Sequence, residues 1–173
     1  MTACFVGLGA NLGESHATLI RAAQDLGQLR ATQLTGRSSI YRSAPMGPQD
    51  QPDYLNAVIG LDTALKPLEL LDELQSLEDK AGRVRRERWG PRTLDLDLLI
   101  YGTITLQSER LTLPHPGLFE RNFVLRPLAD IVSEHWQFQG GPTLAACLKR
   151  CPESNLRDSN LPWSPLASKA LSA

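Results

Sequence analysis

The run Leu-Asp-Leu-Asp-Leu-Leu-Ile-Tyr at residues 94–101 constrains this chain more than any other stretch. Strand geometry sends side chains two apart to the same face, so Asp95 and Asp97 point together while the leucines between them point away. A run this apolar predicts a central strand of a sheet. Two like charges side by side in apolar surroundings are costly unless something compensates them, and a hard divalent cation with oxygen ligands is the natural compensator. The bland alternative has one aspartate capping a loop and the other pairing with an arginine. It does not explain why both lie inside an apolar strand.

The flanking patterns place that strand in a fold. Residues 2–8 form a short apolar run that ends in Gly-Ala-Asn-Leu-Gly, which reads as a buried strand whose glycines serve a tight turn. Leu19, Ile20, Ala23 and Leu26 recur at helical spacing within 14–29. Residues 38–43 and 54–63 read as strands, separated by a loop at 44–53 rich in Pro, Gly and Gln. Pro67 suits the first turn of a second helix, striped by Leu70, Leu74 and Leu77 and stopped by Gly82. Further on, 110–116 reads as extended, 118–131 as partly helical and 143–149 as a short helix. The order β-α-β-β-α-β predicts an α/β (α+β) ferredoxin-like split βαβ sandwich, an antiparallel sheet with helices packed on its faces. Residues 1–151 form a single domain in this reading. Residues 152–173, with Ser, Pro and Asn scattered without period, are expected to be an irregular carboxy-terminal tail.

Composition narrows the function classes. A chain of 173 residues, 42% hydrophobic and 21% charged, is ordinary for one globular domain with its own core. Its net charge of -1 argues against a broad nucleic-acid-binding surface, so a local basic patch reads as a site. Three cysteines in no metal-ligand pattern suit a reducing compartment, and Cys147 and Cys151, one helical turn apart, read as packing residues. The start lacks a basic stretch followed by an apolar one, and no run approaches the roughly 18 apolar residues of a membrane helix. A cytoplasmic protein without a membrane partner is expected.

Just before the paired aspartates come Arg83, Arg85, Arg86, Arg88 and Arg92, interrupted by Trp89, Gly90 and Pro91. Guanidinium forks grip phosphate oxygens through paired hydrogen bonds, and Gly-Pro marks a loop. A charge run is usually a solvated face. This one adjoins a metal-type carboxylate pair, and magnesium commonly binds through one or two carboxylates plus substrate phosphates. The two features together predict magnesium-dependent transfer of phosphoryl groups from ATP. The glycines at 7, 9 and 13 miss the dinucleotide spacing by one residue, and no Gly-Lys-Ser/Thr follows, so nucleotide recognition must lie elsewhere. His115, between Pro114 and Pro116, reads as structural on its own residues. Tyr54 and Asn56, two apart in a strand, offer a polar handle to a ligand.

The string Gly-Pro-Gln-Asp-Gln-Pro-Asp-Tyr-Leu-Asn-Ala at 47–57, with Arg-Trp-Gly-Pro-Arg-Thr-Leu-Asp-Leu-Asp at 88–97, resembles the 6-hydroxymethyl-7,8-dihydropterin pyrophosphokinases of folate biosynthesis. The resemblance extends over Tyr41 to Pro45 and from Leu113 to Phe123. It implies transfer of the terminal pyrophosphoryl group of ATP to the pterin hydroxymethyl, giving AMP and the pterin diphosphate. It implies Arg85, Arg92, Asp95 and Asp97 as catalytic residues, with two Mg2+ ions on Asp95 and Asp97. For ATP it implies Gln75, Glu78, Arg85, Arg88, Trp89, Arg92, Leu98, Arg110, Thr112, His115 and Arg121. For the pterin it implies Ser43, Ala44, Met46, Tyr54, Asn56, Trp89, Asp95 and Phe123.

Trp89 and Phe123 could sandwich a flat ring, and Asn56 could hydrogen-bond its amide edge. The loop at 82–91 is expected to close over the triphosphate once both substrates are present. The implied partners are small molecules only, with no nucleic acid, and the implied state is a monomer. The arginine loop is one residue shorter than the fuller family version, and Pro116 stands where an aromatic or polar residue is common. Two other readings compete. One is a ferredoxin-like RNA-binding module whose arginines grip phosphates, though the paired aspartates would repel the backbone. The other is simple γ-phosphoryl transfer, which would yield ADP instead of AMP.

Overall fold

The computed structural model describes residues 1–45, 50–82, 93–151 and 155–165. Its elements run β1 (Thr2–Ala10), α1 (Ser15–Gly27), β2 (Thr32–Arg37), β3 (Tyr41–Ser43), β4 (Tyr54–Thr63), α2 (Pro67–Lys80) and β5 (Asp95–Tyr101). They continue with β6 (Leu106–Gln107), β7 (Thr112–Leu113), α3 (Asn122–Leu128), α4 (Leu144–Arg150) and β8 (Leu156–Asp158). The main sheet has the order β5-β1-β4-β3-β8, with β2 also on β4, and every pairing in it is antiparallel. Leaving β8 aside, this is the ferredoxin-like order, because α1 carries the chain past the position that β4 later fills.

Alternation along the strands gives the sheet two apolar faces. Val6 and Leu8 of β1, Ile59 and Leu61 of β4, and Leu96 and Leu98 of β5 join Leu19, Leu26, Leu70 and Leu74 of α1 and α2 in one core. Each of those four helix leucines is fully buried, worth about 1.5–3 kcal/mol apiece relative to exposure. On the other face Val58, Leu99 and Ile100 meet Val124, Leu125, Leu128, Leu144 and Phe138. This second layer of α3 and α4 covers only part of its face.

Four expectations need correction. First, β5 is a terminal strand of the sheet path, not a central one. It is apolar because one face lies on the α1–α2 core and the Leu99–Ile100 end packs in the second cluster, and its free edge is sealed. Glu78 Oε1 accepts the Leu96 N–H at 2.7 Å, and the Leu99 carbonyl accepts the His115 N–H at 2.8 Å. Second, of the strand expected at 38–43 only Tyr41–Ser43 is one, as β3, and a further strand, β2, precedes it at Thr32–Arg37; both pair with β4. Between them the Ser38 hydroxyl accepts the Val58 N–H at 2.9 Å, so the ladder continues through a side chain. The polar sequence Thr-Gln-Leu-Thr-Gly-Arg hid β2. Third, Gly7 and Gly9 lie inside β1, and only Gly13, with φ of 60°, takes the left-handed turn conformation. Fourth, the stretch read as an irregular tail holds β8, which pairs with β3. A three-residue strand whose partner lies far upstream leaves no local periodicity.

The cysteines are free, and packing accounts for two of them. Cys4 and Cys147 are fully buried, and burial pushes the Cys4 thiol up to about 12, which removes its nucleophilic form. Cys151 is partly exposed and donates from Sγ to the Glu120 carbonyl at 3.2 Å.

Candidate active site

Where α3 and α4 leave the sheet uncovered, a cavity of about 320 Å³ opens over β1, β4 and β5. Its floor follows from register. Gly9 lies opposite Asn56 of β4 on one side and Asp95 of β5 on the other, and Gly7 lies likewise between Val58 and Asp97. Residues directly opposite in neighbouring strands share a face. Asn56, Gly9 and Asp95 therefore form one row, with no side chain between the amide and the carboxylate. A methyl group at Gly9 would sit 3.7 Å from Asn56 Oδ1 and 4.0 Å from Asp95 Cβ, ordinary contact distances. The glycines are a gap in the floor and not a tight fit. The sequence signal for this was two alternating glycines on the strand face shared with Phe5.

Asn56 is buried, and its Nδ2 donates to Ser43 Oγ at 2.8 Å, which joins β4 to the β3 wall. That wall is tied to the α3 layer by Tyr41, whose hydroxyl donates to Asp130 at 2.9 and 3.1 Å. Burial first, then the Asp130 carboxylate, pushes the Tyr41 phenol up to about 12, so it stays a donor. Asn11, just past the end of β1, holds residues 51 and 52 ahead of β4, donating from Nδ2 to Gln51 Oε1 at 3.0 Å and to the Pro52 carbonyl at 3.1 Å.

The two aspartates share the cavity face, as their spacing predicted. They are half-buried at a cavity wall and not sunk in the core, with the Asp97 side chain 37% exposed. Water or a ligand can reach them, so their paired charges are less costly than an apolar strand alone implies. His115 Nε2 stands 3.9 Å from Asp97 Oδ1, too far for a hydrogen bond. Burial, and then the Arg121 charge, hold the His115 imidazolium below its ordinary range, against the pull of Asp95. The ring is therefore neutral near pH 7. Its Nδ1 accepts the Gly117 N–H at 3.0 Å, so the ring proton sits on Nε2 and faces the acids as a donor. Gly117 has a second role that the sequence did not advertise. A Cβ there would collide with the Arg121 guanidinium, which passes over it toward the cavity.

The cavity brings together Ser43, Ala44, Tyr54, Asn56, Asp95, Asp97, His115, Arg121 and Phe123 from the expected set. Arg121 also lies over the Phe123 ring at 5.9 Å. Gln75, Glu78, Leu98, Arg110 and Thr112 are not in its lining. Glu78 is buried on the β5 edge, Leu98 turns its side chain into the core beneath, and Arg110 pairs with Asp72 of α2. Thr112 belongs to β7, which packs beside β5. Met46, Arg85, Arg88, Trp89 and Arg92 lie outside the described residues, as does nearly all of the 82–91 loop. No group of three or more metal-type ligands occurs among the described residues, so an ion here would need ligands beyond the two aspartates.

A ferredoxin-like sheet whose cavity sets an aromatic ring and an amide beside two strand carboxylates, a histidine and an arginine defines a small-molecule enzyme. Residues 5–133 match the family described as 7,8-dihydro-6-hydroxymethylpterin-pyrophosphokinase (HPPK). The chain belongs to that family. It is 51% identical over 134 residues to the 2-amino-4-hydroxy-6-hydroxymethyldihydropteridine pyrophosphokinase of Haemophilus influenzae, covering 78% of this chain and 84% of the relative. The protein of the same description from Pseudomonas aeruginosa is 45% identical, over 86% of this chain and 91% of its own. Among solved structures, the Plasmodium falciparum HPPK-DHPS wild type with SDX-DHP superposes with a TM-score of 0.66 at 13% identity. That match covers 91% of this chain and 47% of the Plasmodium chain, a likeness of fold.

Proposed function

We infer that the cavity is the pterin site of a pyrophosphokinase and that ATP lies beside it, across the β5 edge. Family membership makes the chain a diphosphokinase of folate biosynthesis with ATP as co-substrate, acting on small molecules. The row Asn56–Gly9–Asp95 carries the assignment of the cavity. The strands that carry the amide and the carboxylate run two strand spacings apart, roughly 10 Å between backbones, which is the scale of a bicyclic ring with one substituent. The Asn56 amide meets the ring's amide edge, Phe123 stacks on its face, and Asp95 receives the hydroxymethyl end. The cavity volume is near the lower end for ligand sites, enough for the pterin and not for ATP as well.

ATP is then held outside that ring pocket. The Leu96 N–H and the Leu99 carbonyl, on either side of Leu98, both point off this edge of β5. That edge, with Gln75, Thr112 and Arg110, suits a purine and ribose. Arg110 is free to turn because its pair with Asp72 is exposed and weakly held. Glu78 acts by fixing β5. His115 Nε2–H and Arg121 donate to phosphate oxygens, and Arg85, Arg88 and Arg92 supply the remaining charge on sequence grounds.

Asp95 and Asp97 fit magnesium by their hard oxygen donors and shared face, with phosphate completing the set; two such ions would screen the triphosphate and orient its β-phosphorus. The pterin hydroxyl oxygen bonds to the β-phosphorus, the bond from that phosphorus to the α-bridging oxygen breaks, and AMP leaves. The hydroxyl proton passes to solvent water, so ATP and the alcohol give AMP, the pterin diphosphate and one proton. The reading includes a monomer without nucleic-acid partners, in keeping with the net charge of -1. It also includes a cytoplasmic site of action; among the described residues no helix is long and apolar enough to cross a membrane.

Incubation with ATP, Mg2+ and 6-hydroxymethyl-7,8-dihydropterin is expected to yield AMP and pterin diphosphate in equal amounts. ADP as the stoichiometric product would overturn the pyrophosphoryl assignment. Asn56→Ala is expected to weaken pterin binding by about 1–3 kcal/mol, the cost of a polar group left unpaired, with ATP binding little changed. Titration of each ligand separately checks it, and equal losses would move Asn56 out of the pterin pocket.

A further inference from the structure

We propose that residues 155–165 are a strap that positions the pterin-binding wall, with Trp163 as its anchor. This segment lies beyond residue 133, where the family match ends, and it contributes no residue to the cavity lining. Its β8 strand takes β3 off the sheet edge, pairing Asp158, Arg157 and Leu156 with Tyr41, Arg42 and Ser43. The pairing continues at both ends. Ala44 N–H donates to the Asn155 carbonyl at 3.4 Å, and Ser159 N–H donates to the Ile40 carbonyl at 3.0 Å. Arg157 also reaches Asp53 at 3.3 Å, just before Tyr54.

The anchor lies beyond β8. Trp163 Nε1–H donates to the Ser38 carbonyl at 2.6 Å, its ring packs on the main core with Leu161, and the Arg37 guanidinium lies 5.9 Å above it. His16 of α1 holds the Pro162 carbonyl at 2.6 Å. The strap therefore spans the sheet from α1 to Ala44. What it fixes is consequential, because Ser43 accepts the Asn56 amide and both Ser43 and Ala44 face the cavity. With β8 gone, β3 becomes a three-residue edge strand held on one side only. Ser43 would then wander, and the amide that reads the ring would wander with it. The exposed Arg157–Asp53 pair adds little by itself, so the effect resides in the backbone pairing and the tryptophan.

This inference rests on the pterin reading of the cavity, and its test separates the two. Affinities for 6-hydroxymethyl-7,8-dihydropterin and for a non-hydrolysable ATP analogue are measured with Mg2+, alongside kcat and KM. The proteins compared are the full chain, a chain ending at Cys151, and full-length Trp163→Ala. The truncated chain is expected to bind pterin roughly tenfold more weakly, with ATP-analogue affinity and kcat at saturating pterin within about twofold. Trp163→Ala should move pterin affinity the same way by a smaller factor. Unchanged pterin affinity would show that the β4 pairing and the Tyr41–Asp130 tie brace the wall without the strap, and an equal loss for both ligands would mean general loosening; either result overturns the proposal. If the truncated chain fails to fold, Trp163→Ala decides by the same criteria. Asn56→Ala, measured in parallel, reads the pocket itself: a pterin loss there with none in either strap variant overturns the strap and leaves the pocket standing.

Discussion

Asp97→Ala is expected to lower kcat by at least about 10³-fold while the protein stays folded. Asp97 is half-exposed at the cavity wall, beside β1 only through backbone pairing with Gly7, so its removal opens no void in either core. Its loss takes away one of two carboxylates able to hold a cation against the triphosphate, and it strips the negative group that faces His115 Nε2. Asp97→Asn keeps the shape and removes the charge, so a comparable loss in that variant would assign the effect to electrostatics. Far-UV circular dichroism and a melting curve establish folding, and steady-state rates across a Mg2+ titration establish the defect. A folded Asp97→Ala protein with near-normal turnover would refute the metal role.

A second large effect is expected at a residue without a side chain. Gly9→Val should weaken pterin binding at least 100-fold while leaving ATP-analogue affinity within about twofold. The added Cβ meets nothing closer than 3.7 Å, so the backbone tolerates it, and a β-branched residue suits a strand better than glycine does. The melting temperature should therefore hold or rise. The valine methyls would occupy the floor between Asn56 and Asp95, where the ring is proposed to lie. Calorimetric titration with pterin tests this directly. Retained affinity in a stable Gly9→Val protein would move the ring away from β1.

The order of the first hundred residues was legible because each major element carries its own period, from the alternation of β4 to the leucine stripe of α2. The paired aspartates were legible for the same reason, since residues two apart in a strand need no tertiary information to share a face. What escaped depends on partners distant in sequence. The edge position of β5 is decided by Glu78 and His115 sealing its free groups, and neither contact has a local signature. The strand β8 exists only because β3 offers an edge and the Trp163 anchor holds it there. Gly7 and Gly9 look like turn residues in sequence because periodicity counts apolar side chains, and a floor made of absent ones does not register. His115 was read as structural from its neighbours alone; the tautomer that aims its proton at the acids is set by Gly117, two residues on.

The bare floor also bears on how such an enzyme could escape a competing inhibitor. A flat heterocycle lying on Gly7 and Gly9 rests on main-chain atoms, which no codon change can replace. Substitution there can only add bulk, and if the substrate ring lies on the same strip, as proposed, bulk that expels a ring-shaped drug expels the substrate too. Compounds that spread their contacts along this strip, and ask little of the side chains around it, would leave few substitutions able to confer resistance.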